Sequence, residues 1–116
     1  MEFTTLPEFD KELKTLLKKY RTLEKDLNAL KIYLEKYPCG FPPIVLPISN
    51  IGVAIKIYKV KHFHCKALKN KGSRSGIRII YAYFEFEQKI EFVEIYYKEK
   101  DDRDCDKERI LKHYGA

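Results

Sequence analysis

PEFDKELKTLLKKYRTLEKDLNALKIYLEKYP, residues 7–38, decides how the N-terminal part of the chain folds. Between its two terminal prolines there is no glycine or proline. Apolar residues fall at Phe9, Leu13, Leu16, Tyr20, Leu23, Leu27, Leu30, Leu34 and Tyr37, alternately four and three positions apart. That spacing is helical, and Pro7 followed by Glu8 suits a first turn. Taken literally it is a heptad seam, so one long coiled-coil helix competes with two shorter ones. Length decides between them. A helix of about 30 residues would run ~45 Å, whereas a compact domain of this size is only about 35 Å across. A break within KKYRTLEKD (18–26), with Thr22 as N-cap, folds the seam into an αα-hairpin whose two halves face one core. The leucine stripe is core.

Three strand-like runs follow: VAIKIYKVKHF (53–63), GIRIIYAYFEF (76–86) and KIEFVEIYYK (89–98). All are rich in Ile, Val, Tyr and Phe, and the links between them suit antiparallel pairing. EFEQK (85–89) reads as a tight hairpin and residues 64–75 as a longer basic loop. A strand at Glu2–Leu6 joins the sheet. A short helix over 104–114 closes the chain, with Asp101, Asp102 and Asp104 near its positive end and Ile110 and Leu111 facing inward. The expected order is β-α-α-β-β-β-α. This is one α+β domain over residues 1–116, with an N-terminal strand and an αα-hairpin on one face of a mostly antiparallel sheet of three to four strands. The uncharged stretch from Tyr37 to Ile55 is long enough to raise a membrane helix. Pro38, Pro42, Pro43, Pro47 and two glycines break such a helix, so the stretch reads as an apolar loop packed on the body.

With 45% hydrophobic and 34% charged residues, the composition is that of a globular domain and excludes disorder. MEFTTLPEF lacks a basic segment followed by an apolar one, so no secretory leader is expected. Three cysteines, Cys39, Cys65 and Cys105, give no close pairing and suit a reducing cytoplasm. The net charge of +6 is distributed unevenly. Residues 1–36 carry eight basic and seven acidic side chains, residues 37–84 carry eight basic and none acidic, and residues 85–116 carry seven and ten. A cationic segment without internal neutralisation serves a polyanion, with RNA or DNA foremost, or else is a solvated loop.

Alternation along a strand puts Lys59 and Lys61 on one face, and Arg78 shares the parity of Ile80 and Ala82. The plain reading is an edge strand guarded by lysines. The functional reading is three cations on one exposed sheet face, with Lys66, Lys69, Lys71 and Arg74 supplying a basic rim from the loop. HFHC (62–65) puts His62 and His64 on one face beside Cys65. No complementary ligand pair accompanies them, so zinc is disfavoured and no metal or other cofactor is expected. A histidine there could still serve as acid or base, because imidazole titrates near pH 6.5. KGSRSG (71–76) lacks the pattern of a phosphate loop. Glu91 and Glu94, of opposite parity, read as sheet-surface charges.

YKVKHF (58–63), the basic loop and SGIRIIY (75–81) in succession resemble the RelE-type toxins of toxin–antitoxin modules. Their pattern of Y-K-x-K on one strand and G-x-R-x-x-Y on the next matches here as Tyr58, Lys59, Lys61, then Gly76, Arg78, Tyr81. The element order and the opening FTTLPEFDKELKTLLKKYRTLEKDL (3–27) also look like that superfamily, so the resemblance spans nearly the whole chain. It implies a small ribonuclease that cuts mRNA on the ribosome without a metal and is neutralised by an antitoxin. A homodimer or a toxin–antitoxin hetero-oligomer is compatible with it, and no membrane partner is implied. In the implied reaction the ribose 2′-hydroxyl attacks phosphorus in line, leaving a 2′,3′-cyclic phosphate and a 5′-hydroxyl. A lysine acts as base only when its pKa falls well below the free value near 10.4, and neighbouring cations push it that way. The resemblance assigns Lys59 as base and Lys61 and Arg78 as stabilisers of the transition state, since a guanidinium grips phosphate at two points.

Beyond the last strand the pattern departs from the family's arginine and tyrosine. YYKEKDDRDCDKERI (96–110) offers Lys98, Lys100 and Arg103, and Tyr96, Tyr97 and Tyr114 remain open as the proton donor. Two other readings stay open: a ParE-like toxin that inhibits gyrase without RNA chemistry, and an inactive member of the fold that only binds.

Overall fold

The first strand, β1 (Glu2–Thr5), runs directly into α1 (Pro7–Leu17), whose first turn holds Pro7, Glu8 and Asp10. Proline at that position loses no helical hydrogen bond, and the acids face the positive helix end. The computed structural model describes residues 1–68, 75–98 and 105–115. The heptad seam breaks after Leu17, and α2 (Leu23–Lys36) turns back as the hairpin that chain length demanded. Leu23, Leu27, Leu30 and Leu34 are its buried stripe. Thr22 occupies the N-cap position, but its hydroxyl donates to the Asp26 carboxylate at 2.7 Å instead of capping the backbone.

Four strands follow: β2 (Val45–Ile48), β3 (Lys56–Val60), β4 (Ile77–Phe84) and β5 (Lys89–Tyr97). They form a five-stranded sheet in the order β1-β5-β4-β3-β2, with β1 parallel to β5 and the other pairs antiparallel. The extra strand corrects the sequence reading, because β2 lies inside the proline-rich connector that was expected to be a loop. Pro47 sits in that strand, paired with Tyr58. Proline is tolerated there because β2 is the sheet edge, where one side of the strand needs no donor. Among the described residues no helix is long and apolar enough to cross a membrane.

The hairpin covers one face of the sheet. Phe92 stacks on Phe9 of α1 at 5.5 Å, Tyr81 meets Phe92 edge-on at 6.4 Å, and Tyr20, between the helices, stacks on Tyr97 at 6.0 Å. Burying a side chain of this size contributes about 1.5–3 kcal/mol, so this aromatic row is a main anchor of the hairpin. The opposite face carries Arg78, Ile80, Ala82 and Phe84. Here the register slips: Ile80 faces Glu94 while Tyr81 faces Phe92, so Val93 is an extra residue in β5. That β-bulge resets the alternation. Glu91 and Glu94, of opposite parity in the sequence, therefore share a face, and Glu94 is buried at 1% exposure instead of lying on the surface.

The final helix, α3 (Lys107–Tyr114), packs on this second face and reaches α1 around the sheet edge. Its Tyr114 hydroxyl donates to Glu91 at 2.6 Å, and its ring meets Phe84 at 5.8 Å. Asp106 caps α3 by accepting the Arg109 amide, while its own amide donates to Glu94 at 2.9 Å. Arg109 reaches around the edge of β5. It holds both oxygens of Glu12 on α1 at 2.9 Å and the Val93 carbonyl at 2.8 Å. The side chains of α3 thus close the edge that β1 leaves uncovered beyond Phe92.

Candidate nucleic-acid interface

The second face is divided along its length. Its lower half, Ala82, Phe84 and Glu91, lies against α3. Its upper half gathers the residues singled out by the sequence. Lys59 pairs with Ile80, and Ile80 pairs with Glu94. One step along, Arg78 pairs with Tyr96, and its Nη1 donates to the Lys61 carbonyl at 2.9 Å. The amide of Lys61 in turn donates to the Ile44 carbonyl at 2.8 Å, so the residue just before β2 and Arg78 of β4 hold Lys61 from both sides. Lys59, Arg78 and Tyr96 therefore lie on one side of three adjacent strands, opposite the hairpin, and Lys61, just past the end of β3, meets Arg78 through its carbonyl.

The expectation of an exposed face is corrected. Lys59 is 6% exposed and Arg78 is 7% exposed. The Lys59 stem lies along the sheet so that its ammonium sits 5.9 Å from the Tyr96 ring centre. The Arg78 guanidinium turns back to the backbone of β3. Long basic side chains bury their stems in this way while their heads seek polar or aromatic partners.

Gly76 explains how Arg78 is aimed. Its φ of +86° is a left-handed conformation that favours glycine, and a Cβ there would lie 3.3 Å from the Tyr97 ring. Its carbonyl accepts the Lys98 amide at 2.7 Å, which fixes the start of β4 against the end of β5. Ser75, fully buried, closes the base of the loop: its hydroxyl donates to the Phe63 carbonyl at 2.6 Å and accepts the Ile77 amide.

The two motif tyrosines belong to the other face. Tyr58 stacks on Tyr81 at 5.3 Å; Tyr58 donates to the Cys39 thiol and Tyr81 to the Pro38 carbonyl. Burial pushes both phenols well above their ordinary range. Their place in the motif is explained by packing. Among the three tyrosines left open as proton donor, geometry separates one. Tyr97 stacks on Tyr20 in the hairpin layer, and burial together with the Glu91 hydrogen bond drives the Tyr114 hydroxyl far upward. Tyr96 alone of the three stands with Lys59 and Arg78.

His62 is not with the cations either. It lines a separate cavity with His64 and Lys66, against Asp26 and Tyr33 of α2. The buried Cys65 turns away from that cavity's histidines, 4.0 Å from the Thr22 hydroxyl. Among the described residues no three His, Cys, Asp or Glu side chains could hold a metal ion. Lys66 is exposed, with its amide fastened to Asp26 at 3.1 Å. Lys98 sits half-buried at the end of β5. Lys69, Lys71, Arg74, Lys100 and Arg103 lie outside the described residues.

This architecture is similar to a solved one. A chain of the archaeal RelE–RelB complex from Pyrococcus horikoshii OT3 superposes with a TM-score of 0.58 and 14% sequence identity, covering 86% of this chain and 97% of that one. The protein has a RelE-like fold. No family model matches the sequence, and no curated protein matches it.

Proposed function

We propose that the protein is the toxin of a toxin–antitoxin module and an endoribonuclease that cleaves mRNA at the ribosome. The observation carrying this reading is the grouping of Lys59, Arg78 and Tyr96 on one side of β3, β4 and β5, with Lys61 bonded to Arg78 through its carbonyl, on a RelE-like scaffold. Lys59 takes the proton of the ribose 2′-hydroxyl as the O2′–P bond forms. Lys61 and Arg78 stabilise the charge that builds on the phosphorane oxygens. Tyr96 delivers a proton to the 5′-oxygen as the P–O5′ bond breaks, giving a 2′,3′-cyclic phosphate and a 5′-hydroxyl. The partner is an antitoxin whose acidic or amphipathic segment lies over the sheet or displaces α3.

Purified protein incubated with ribosomes and mRNA in EDTA is expected to cut, and Lys59→Ala combined with Lys61→Ala to abolish cutting. Cutting unaffected by that pair of substitutions would reject the site. The burial of Lys59 and Arg78 favours a second reading, in which both cations are structural and the protein acts only by binding, as a gyrase-inhibiting ParE-like toxin or an inactive member. A supercoiling assay run beside the cleavage assay separates the two.

A further inference from the structure

The cavity that collects His62, His64 and Lys66 is a concave site on the side of the sheet away from Lys59. It measures about 250 Å³ and lies between α2 and residues 62–66. That is below the roughly 300–1,000 Å³ of pockets for drug-sized ligands, and suits one planar ring system. Its walls are Leu30, Tyr33, Phe63 and Ile44, with the two imidazoles at its mouth. The chain passes into it directly from the cation group, since Lys61, whose carbonyl holds Arg78, immediately precedes His62.

One lining group limits what can enter. Asp26 is 4% exposed and is the sole carboxylate of the lining. Its Oδ2 accepts both the Thr22 hydroxyl at 2.7 Å and the Lys66 amide at 3.1 Å. Oδ1 retains acceptor capacity. A buried acceptor repels a phosphate and rewards a neutral donor. An exocyclic amino group can meet it directly, whereas the one base-edge N–H of uracil lies between two carbonyl oxygens that a carboxylate repels. Exposed Lys66 at the rim suits a phosphate outside. Tyr33 continues outward into an aromatic run, Tyr37 at 5.6 Å and then Phe41 at 4.9 Å, of which Tyr37 and Phe41 are 45% and 53% exposed. Exposed aromatics next to cations form the stacking platforms that single-stranded nucleic acid uses.

We propose that this cavity takes one unpaired nucleobase of the bound RNA, and selects a base carrying an amino group over uracil. The proposal rests on the reading of the protein as an RNA-binding toxin, and it adds a base-selecting subsite to that reading. The amino group donates to Asp26 Oδ1, the ring packs on Tyr33 and His62, and Lys66 meets the nucleotide's phosphate.

The test is a titration of the intact protein with AMP, CMP, GMP and UMP, followed by NMR at the histidine side chains. The chain has three histidines, and His113 of α3, bound to Glu8 of α1, is the internal reference. AMP, CMP and GMP should shift His62 and His64 and bind at least tenfold more tightly than UMP, leaving His113 unmoved. Ala29→Phe, which fills the cavity from its exposed rim, should weaken that binding at least tenfold without lowering the melting temperature. Equal binding of UMP, or binding undiminished in Ala29→Phe, would overturn the proposal. Selective shifts in a protein that never cleaves RNA reject the nuclease and retain this subsite; cleavage without such shifts does the reverse.

Discussion

The Lys59 ammonium lies 5.9 Å from the centre of the Tyr96 ring, across the full width of β4. A cation over an aromatic face contributes about 0.5–2 kcal/mol, more as water is excluded. The contact also places a hydroxyl-bearing ring beside the proposed base. Tyr96→Phe keeps the ring and removes the hydroxyl. Cleavage should fall by about 10²–10⁴-fold, the usual range for loss of a general acid, while thermal stability holds. Tyr97→Phe should leave cleavage intact, because that ring serves the hairpin layer. Single-turnover cleavage assays on both variants check this, and equal losses would reject Tyr96 as donor.

Gly76 tests the aiming of Arg78. In Gly76→Ala the new methyl meets the Tyr97 ring at 3.3 Å with φ at +86°. Such strain costs about 1–3 kcal/mol. Urea denaturation should show that loss, and cleavage should fall further than stability alone accounts for, since Arg78 stands two residues on.

The docking of α3 depends on Arg109. Its bond to Glu12 raises its pKa, and removing it strands the Glu12 carboxylate and the Val93 carbonyl. Hydrogen bonds to charged groups are worth about 1.5–3 kcal/mol. Arg109→Ala should therefore destabilise the protein by about 2 kcal/mol, with amide exchange in α3 accelerating before that of β4. Unchanged protection across residues 107–114 would refute the role.

Acid should loosen the same helix. The hydrogen bond from His113 holds the Glu8 carboxyl below its ordinary value of 4.5. A carboxyl with a lowered folded pKa stabilises above its unfolded pKa, and that contribution fades as pH falls through the lower folded value. Melting temperature should thus decline below about pH 4.5, less steeply in Glu8→Gln than in the unaltered protein. Parallel declines in the two would remove Glu8 from the account.

Much of this was legible in the letters, for physical reasons. The apolar spacing from Phe9 to Tyr37 and the size limit on one helix required the hairpin. Strand alternation put Lys59 and, on the next strand, Arg78 on one side, as the register pairs them. Three features were hidden. Pro47 masked β2, because proline signals against strands in general and only an edge tolerates it. The depth of Lys59 and Arg78 was invisible because charge predicts exposure, whereas their stems lie flat on the sheet. The cavity at Asp26 needed residues 40 positions apart, His62 to Lys66 on one side and α2 on the other, brought together by the fold.

The extra residue at Val93 governs how this strand is compared with any distant relative. At 14% identity the letters do not show where a gap belongs, and a slip of one column exchanges Tyr96 for Tyr97 and Glu94 for Ile95. Equivalences in β5 are therefore sound only when drawn by which layer a side chain enters. The tyrosine proposed as proton donor, if sought by column, would be mistaken for its neighbour in the packing row.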